Sequence, residues 1–172
     1  MNSHKTSFNE LNQLDQKSFG QLLDGIYEHS PWIVQKAFSD RPFKDLDDLA
    51  SALQKIVLNA SIEDQLSLIR AHPELAGKAA IKKELTTDSN REQSGAGLDQ
   101  CSPEEFEKLN FLNTTYNAKF GFPFILAVKG HNRNSIIEAF SQRLNNNYEV
   151  EFRECIDQIG LIAKFRLINL FS

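Results

Sequence analysis

The chain has 172 residues, a formal net charge of −4 and a hydrophobic fraction of 41%, which are ordinary values for a globular protein. This length favours a single domain with a substantial core, spanning residues 1–172. The acidic balance and the lack of a basic run argue against a nucleic-acid partner, and no apolar run is long enough to cross a bilayer.

The positions of the cysteines and histidines indicate the cellular compartment and bear on whether a metal is bound. Cys101 and Cys155 stand far apart without a CxxC motif, and the polar first residues do not resemble a signal peptide. These features predict a cytoplasmic protein with reduced thiols. The four histidines form neither an HExxH motif nor a Cys/His cluster, and no phosphate-binding glycine motif occurs, so we expect no metal and no nucleotide.

Apolar residues recur at the spacing of amphipathic helices over nearly the whole chain, and no strand-like alternation is present. Ser102-Pro103 is one strong helix start, with proline at the first helical position. The stretch 120–129, FGFPFILAVK, is the exception, because it is apolar and interrupted by Pro123. The pattern predicts an all-α protein of about eight helices with one irregular or extended segment near 120–129. After a lead-in at 8–14, the predicted helices cover about residues 16–28, 31–39, 45–59, 62–70, a short stretch from Pro73, 103–118, a helix capped by Ser135 or Asn132 and ending near 144, and 149–170.

His72 stands directly before a proline, at the end of the predicted helix 62–70. Pro73 cannot continue that helix but suits the first position of a new one, which would put His72 at a helix N-terminus. The N-terminal end of a helix disfavours positive charge and therefore favours the neutral imidazole that a general base needs. His72 is accordingly a candidate acid/base, against the simpler interpretation of a histidine that only packs beside a helix start.

The stretch SNREQSGAG, residues 89–97, combines a carboxylate and an amide with two glycines. Ser89 and Glu92 have the spacing of a capping box, which would give both a structural role at a helix start. The glycines would, however, let the backbone turn tightly, so that Glu92 and Gln93 could grip a small polar ring. Both interpretations remain open from the residues alone.

Arg166 lies on the apolar face of the last predicted helix. At about 100° per residue it falls on the same stripe as Ile156, Ile159 and Ala163. A buried arginine is costly unless an anion meets it. Arg166 is therefore a candidate for holding a carboxylate or oxyanion with two parallel hydrogen bonds, unless its stem carries the guanidinium past the helix end to solvent.

The segment after Pro123 offers a possible wall for a ligand. Phe124 and Ile125 could face a flat ring, and irregular backbone there could leave main-chain amides for binding. Ordinary core packing is the simpler explanation for both side chains, and the residues alone do not decide.

Taken together, these motifs resemble the OHCU decarboxylase family, the 2-oxo-4-hydroxy-4-carboxy-5-ureidoimidazoline decarboxylases that act at the last step from urate to (S)-allantoin. The similarity extends over about residues 11–170. It is carried by EHSPW (28–32), RPF (41–43), AHPELAGKAA (71–80), LTTDSNREQSGAGLD (85–99), LNFLNTTYNAKFGFPFILAVKG (109–130) and IGLIAKFRL (159–167).

The resemblance implies an all-helical fold, usually a homodimer, that works without metal or organic cofactor. It implies decarboxylation of OHCU to (S)-allantoin, with His72, Glu92 and Arg166 as catalytic residues. We expect His72 to act as acid/base at the hydroxyl of the reacting carbon, Glu92 to orient the imidazole or the ureido group, and Arg166 to hold the carboxylate or the developing oxyanion. The implied substrate-binding residues, which would read the ring edges or cover its faces, are Pro73, Ser89, Gln93, Phe124 and Ile125.

Two other functions are compatible with the residues. One is a non-catalytic helical module that binds a small ligand or a partner. The other is a cofactor-free hydrolase of cyclic ureides, in which His72 would activate water. Product analysis separates the three possibilities. A decarboxylase releases carbon dioxide, a hydrolase opens the ring, and a binding module gives no reaction.

Overall fold

The structure is a computed structural model, and it describes residues 5–77 and 85–171. Nine α-helices and no β-strand occur in these ranges, which confirms the predicted all-α class and lies close to the predicted helix number. Two short 3-10 helices, Phe38–Asp40 and Leu98–Gln100, complete the regular structure of the described ranges. The α-helices are α1 (Phe8–Gln13), α2 (Gln16–Leu22), α3 (Pro31–Ala37), α4 (Leu46–Leu58), α5 (Ile62–Ala71), α6 (Thr87–Gly95), α7 (Pro103–Phe120), α8 (Arg133–Arg143) and α9 (Tyr148–Phe171).

The contacts within the chain define two compact units. The first unit contains the residues up to Leu68 together with those from Gly160 onward, and the second contains Ile69–Ile159. Helices α5 and α9 contribute residues to both units. Among the helices in the described ranges, none is both long and apolar enough to cross a bilayer.

The first unit has its core between short helices. Leu49, Leu53 and Val57 lie one turn apart on α4 and are fully buried, as an amphipathic helix requires. Helix α2 is shorter than the predicted 16–28, because the chain leaves the helical path after Leu22 and turns through Gly25, whose φ is +82°.

The second unit is organised around Tyr116 on α7. Its ring packs against four phenylalanine rings at centroid distances of 4.6–6.0 Å, those of Phe120, Phe122, Phe124 and Phe140. Helix α7 begins as predicted, with Ser102 and Glu105 forming a reciprocal capping box and Pro103 at the first position. It ends at Phe120, and its C-cap Gly121 adopts the left-handed conformation with φ +76°.

Two local predictions meet different outcomes in this unit. The buried segment Pro123–Val128 is neither helix nor strand, in agreement with the irregular stretch predicted near 120–129. The predicted helix starting at Pro73 is wrong for residues 73–77, which form a loop with a turn at Leu75 and Ala76. The continuation of that predicted helix into 78–84 lies outside the described residues.

Candidate functional site

His72 follows Ala71, the last residue of α5, and its main-chain N–H donates to the Ile69 carbonyl at 3.2 Å. The residue is only 7% exposed, so the imidazole is held inside the protein. The helix start predicted at Pro73 is absent from residues 73–77, so the argument that a helix N-terminus favours the neutral ring has no support in the described residues. What the structure supports is a buried ring whose charge, when present, must be matched by a partner.

Gln93 on α6 holds the loop that begins with His72. Its Oε1 accepts a hydrogen bond from the Ala76 N–H at 3.0 Å, and its Nε2 donates to the Glu74 carbonyl at 3.2 Å. Ala76 has a φ of +52°, a conformation that residues with a Cβ rarely adopt. The two hydrogen bonds of Gln93 stabilise this strained backbone. Gln93, predicted to bind substrate, therefore positions the His72 loop, and its second Nε2 hydrogen has no acceptor among the described residues.

Two asparagines on α7 hold the same loop from another helix. Asn113 donates to the Leu75 carbonyl at 2.9 Å, and Asn117 donates to the Glu74 carboxylate at 2.7 Å. The Oδ1 atom of Asn113 is buried and has no hydrogen-bond partner in the described part of the chain. The one hydrogen bond that the Asn113 side chain makes with the described residues is therefore to the loop. Three amide side chains hold this loop in all, those of Gln93, Asn113 and Asn117.

Ser89, Glu92 and Gln93 lie inside α6, not at its start. The N-cap of α6 is Thr86, whose hydroxyl accepts from the Ser89 N–H at 3.3 Å. The capping-box interpretation of Ser89 and Glu92 is therefore wrong. Positions i, i+3 and i+4 share one face of a helix, and on this face Ser89 and Gln93 are buried while Glu92 is half-buried.

A cleft of about 680 Å³ opens beside α6 on the side of Asn90 and Ser94. Gln93 and Ala76 contribute to its wall. Glu92 is two residues from Asn90 and from Ser94, which puts it about 200° away around the helix. This cleft is therefore not the space that Glu92 faces.

The ring of Phe124 is packed on both faces. It stacks on Phe140 with a centroid distance of 3.9 Å and an interplanar angle of 10°, and the guanidinium carbon of Arg143 lies 4.3 Å from its centroid. Since Phe140 occupies one face at contact distance, Arg143 must cover the other. A ligand could meet only the edge of Phe124 or its main chain. Ile125 is buried, and its carbonyl accepts a hydrogen bond from Arg143.

Arg166 belongs to the first unit and is buried there, with its side chain 2% exposed. The guanidinium does not reach solvent past the helix end, so that alternative is wrong. Its Nη1 donates to the Glu28 carboxylate at 2.7 Å and to the Gly25 carbonyl at 2.8 Å. The predicted anion partner is thus supplied, within this unit, by Glu28, which is itself buried.

Sequence reasoning missed Glu28, Asn113 and Asn117 as parts of these arrangements. Asn113 carried a usable signal, a polar residue on the apolar stripe of Leu109 and Tyr116. Arg166 on α9 was identified by the same kind of signal. Glu28 carried no periodic signal, since it follows a turn, and entered the sequence analysis only as the first residue of the motif EHSPW. Among the described residues, no group of three or more His, Cys, Asp and Glu side chains is placed to hold a metal ion.

The fold and these arrangements define a class: an all-helical protein with a buried histidine on a preorganised loop and a polar helix face beside it. A family model described as OHCU decarboxylase matches residues 12–168. The chain belongs to the OHCU decarboxylase family.

Individual relatives agree with this assignment. The chain is 41% identical over 169 residues to the 2-oxo-4-hydroxy-4-carboxy-5-ureidoimidazoline decarboxylase of Haloferax volcanii, covering 98% of each chain. It is 33% identical to the protein of that name from Xenopus laevis, covering 94% of each chain. It is also 40% identical to the uric acid degradation bifunctional protein PucL of Bacillus subtilis, covering 96% of this chain and 33% of that protein.

Solved structures show the same fold. A crystal structure of (S)-allantoin synthase superimposes with a TM-score of 0.79 at 27% identity, covering 96% of this chain and 54% of that one. A crystal structure of OHCU decarboxylase in the presence of (S)-allantoin has a TM-score of 0.68 at 24% identity, covering 83% of this chain and 92% of that one. The second similarity supports the fold alone.

Proposed function

We propose that this protein catalyses the decarboxylation of 2-oxo-4-hydroxy-4-carboxy-5-ureidoimidazoline (OHCU) to (S)-allantoin, a step of urate degradation. The observation that carries the proposal is the buried His72 on a loop held by three amide side chains, in a chain of the OHCU decarboxylase family. A polar group preorganised in this way supplies orientation and acid/base chemistry without rearranging during the reaction.

The chemistry of the substrate explains why we propose no metal or organic cofactor. Its carboxylate is on a carbon that also bears a hydroxyl, in a ring with conjugated C=N and C=O groups. When carbon dioxide leaves, the electron pair of the broken bond moves into that ring, so a separate electron sink such as pyridoxal or thiamine is unnecessary. Protonation of the same carbon from one face then yields one enantiomer of allantoin.

His72 and Glu92 are the proposed acid/base pair. His72 acts at the hydroxyl of the reacting carbon, where proton transfer in the transition state lowers the barrier. Glu92 orients the imidazole or the ureido group, in the manner of a base held by a third group. The support for this role is that Glu92 is next to Gln93 on α6, and Gln93 holds the His72 loop.

Ring recognition is assigned to groups around the His72 loop. Ser89 lies one turn before Gln93 on α6, and the remaining Nε2 hydrogen of Gln93 is available to a carbonyl of the ring. Pro73 covers one face of the ring. Phe124 and Ile125 contribute through the ring edge and the main chain, because the Phe124 ring has both faces packed.

Arg166 is the proposed electrostatic group. If it held only the ground-state carboxylate, it would tighten binding without accelerating the reaction. We therefore assign it to the oxyanion that develops as charge enters the ring. Glu28 and the Gly25 carbonyl restrict the guanidinium to one orientation, which is the preorganisation that such a role requires.

We further propose a cytoplasmic homodimer in which residues 1–172 act as one domain. One family model covers residues 12–168, which include parts of both units. The two cysteines are free thiols in the structure, as a reducing compartment would keep them. The family resemblance is the support for the dimer, and sedimentation equilibrium of the purified protein measures it.

The direct experiment generates OHCU in situ from urate with two upstream enzymes. Its ultraviolet decay and the handedness of the allantoin formed are followed with and without this protein. Faster decay with carbon dioxide release and an excess of (S)-allantoin is the expected result. Ring opening without carbon dioxide would indicate a hydrolase, and an unchanged decay would indicate a binding module.

Replacing the imidazole tests the acid/base role. We expect His72→Ala to remain folded and to lose about 10²- to 10⁴-fold in turnover. His131→Ala is the control, because the hydrogen bond of its ring with the described residues is to Ser135, in the first turn of α8. Near-normal turnover of His72→Ala would remove this residue from the mechanism.

Glu92 is tested with a control on the same helix. Because Glu92 lies inside α6, Glu92→Ala should leave the melting temperature nearly unchanged while turnover falls by roughly 10-fold or more. Asp88→Ala breaks only the exposed contact with Arg91 and should change neither property. A lower melting temperature with full activity would make Glu92 structural.

A further inference from the structure

A buried ionic network lies in the second unit, where the proposed mechanism uses none of its charged groups. Arg143 is the last residue of α8, and Glu151 in the first turn of α9 is completely buried. The guanidinium donates to both Glu151 oxygens, from Nε at 3.0 and 3.2 Å and from Nη2 at 2.8 Å. Tyr116 and Asn146 also donate to this carboxylate, at 2.5 and 2.9 Å.

The remaining arm of Arg143 is directed to the segment Pro123–Val128. Its Nη1 donates to the Ile125 carbonyl, and its guanidinium carbon covers one face of Phe124. Glu151 occupies the other nitrogens, so the guanidinium plane has one orientation available. The network therefore determines where the Ile125 carbonyl points.

The direction of one carbonyl determines the direction of the next amide. In a planar trans peptide, the Ile125 carbonyl and the Leu126 N–H point in opposite directions. The Leu126 N–H consequently points away from Arg143. Leu126 is 9% exposed, and its N–H makes no hydrogen bond with residues 5–77 or 85–171. Buried main-chain donors almost always have an acceptor, so this one is available to a ligand.

We propose that Arg143, oriented by Glu151, is a positioning residue for the decarboxylation: it sets the peptide between Ile125 and Leu126 so that the Leu126 N–H meets the substrate. The inference rests on the proposed function. Arg143 itself does not touch the substrate. Its charged hydrogen bond to the carbonyl also polarises the peptide and makes the N–H a stronger donor.

Arg143→Lys tests the inference, because one ammonium group cannot hold both the Glu151 carboxylate and the Ile125 carbonyl in the geometry of the fork. The expected result is a higher KM and a kcat/KM lowered roughly 10- to 100-fold. The matched control is Arg133→Lys. Arg133 also joins a carboxylate, that of Glu105, to main-chain carbonyls, but those belong to Gly97 and Gln100.

The second readout is the Leu126 amide resonance in ¹⁵N-labelled protein titrated with (S)-allantoin, the product of the proposed reaction. We expect a shift in the wild type and in Arg133→Lys, and its loss in Arg143→Lys. Equal kcat/KM values and equal Leu126 shifts in the two lysine variants would overturn the inference while leaving the proposed function in place. A wild type that does not decarboxylate OHCU would instead overturn the proposed function.

If Arg143→Lys does not fold, Glu151→Gln replaces it in the same two measurements. The glutamine keeps the shape of the side chain but removes the charge that orients Arg143. A raised KM and a smaller Leu126 shift support the inference. Wild-type values of both, or no Leu126 shift in a wild type whose Gln93 resonances do shift, overturn it.

Discussion

Each unit contains a buried arginine–glutamate pair, and the two pairs differ in how the remaining hydrogen bonds are used. In the second unit, Arg143 and Glu151 are eight residues apart, and all three guanidinium nitrogens donate to oxygens in their surroundings. Burial acts to lower the pKa of Arg143, but the hydrogen bonds and the charge of Glu151 outweigh it and raise that pKa. The arginine therefore stays charged and serves the protein's own backbone.

In the first unit, Arg166 and Glu28 are 138 residues apart. The contacts to Glu28 and to the Gly25 carbonyl both come from Nη1, one end of the guanidinium. A buried arginine therefore does not by itself mark an active site. For Arg143, the hydrogen bond to the Ile125 carbonyl indicates support of the segment 123–128, whereas the role of Arg166 depends on the proposed function.

The largest expected effect comes from removing one charge of the second-unit pair. Glu151→Ala leaves Arg143 buried without its carboxylate and should lower the free energy of unfolding by about 3–5 kcal/mol. The double variant Arg143→Met, Glu151→Leu should recover most of that loss, because no charge is left buried. Urea denaturation measures both, and a loss under about 1 kcal/mol in the single variant would contradict the burial of the pair.

Arg166→Lys is expected to have an intermediate effect, on kinetics more than on stability. The ammonium can keep one contact with Glu28 but loses the fork that holds an oxyanion, so kcat/KM should fall roughly 10- to 100-fold. Arg153→Lys, at an exposed position of the same helix, is the control. Wild-type kinetics for Arg166→Lys would assign the Arg166–Glu28 pair to structure alone.

Tyr116→Phe should have the smallest effect of the three. It distinguishes the contribution of the Tyr116 hydroxyl to the ionic network from that of the ring to aromatic packing. It removes one hydrogen bond to the buried carboxylate and keeps the ring, which should cost about 1.5–3 kcal/mol of the free energy of unfolding. Chemical denaturation at neutral pH measures this cost. An unchanged midpoint would show that the hydroxyl contributes nothing to the network.

The same variant changes the response to alkaline pH. Burial, then the nearby Cys155 and the hydrogen bonds to Cys155 and Glu151, raise the pKa of Tyr116. The folded state thus keeps the phenol neutral, and its stability falls once the pH exceeds the ordinary tyrosine pKa of about 10, where the unfolded chain ionises. Tyr116→Phe should make this alkaline fall shallower, and an identical slope in the two proteins would contradict the raised pKa.

Local signals predicted the helices well where the causes of helix formation are local. Ser102, Pro103 and Glu105 form the capping box that their spacing indicates, because all its hydrogen bonds lie within one turn. The same pattern misled at Ser89, since Thr86 three residues earlier takes the N-cap. The proline signal for a helix start misled at Pro73, because amide side chains from two other helices hold the following residues in a loop.

The candidate site was partly predictable for the same reason. Arg166 was identified because a charge on an apolar stripe is unusual within any helix. Arg143 was not, because a basic residue in the last turn of a helix is ordinarily an exposed partner of the helix dipole. Only burial beside Glu151 gives it a different role, and that burial depends on how α8, α9 and the segment Pro123–Val128 pack.

The sequence by itself determined the all-helical class, the family and the set of polar residues on which a function could rest, since periodicity, caps and motifs are properties of neighbouring residues. The tertiary structure alone decided how those residues are held: His72 at the end of α5, Gln93 and Asn113 on its loop, Glu28 beside Arg166. The physical reason is that a buried polar group must find its partner wherever the fold brings one, at a distance along the chain that no local pattern encodes.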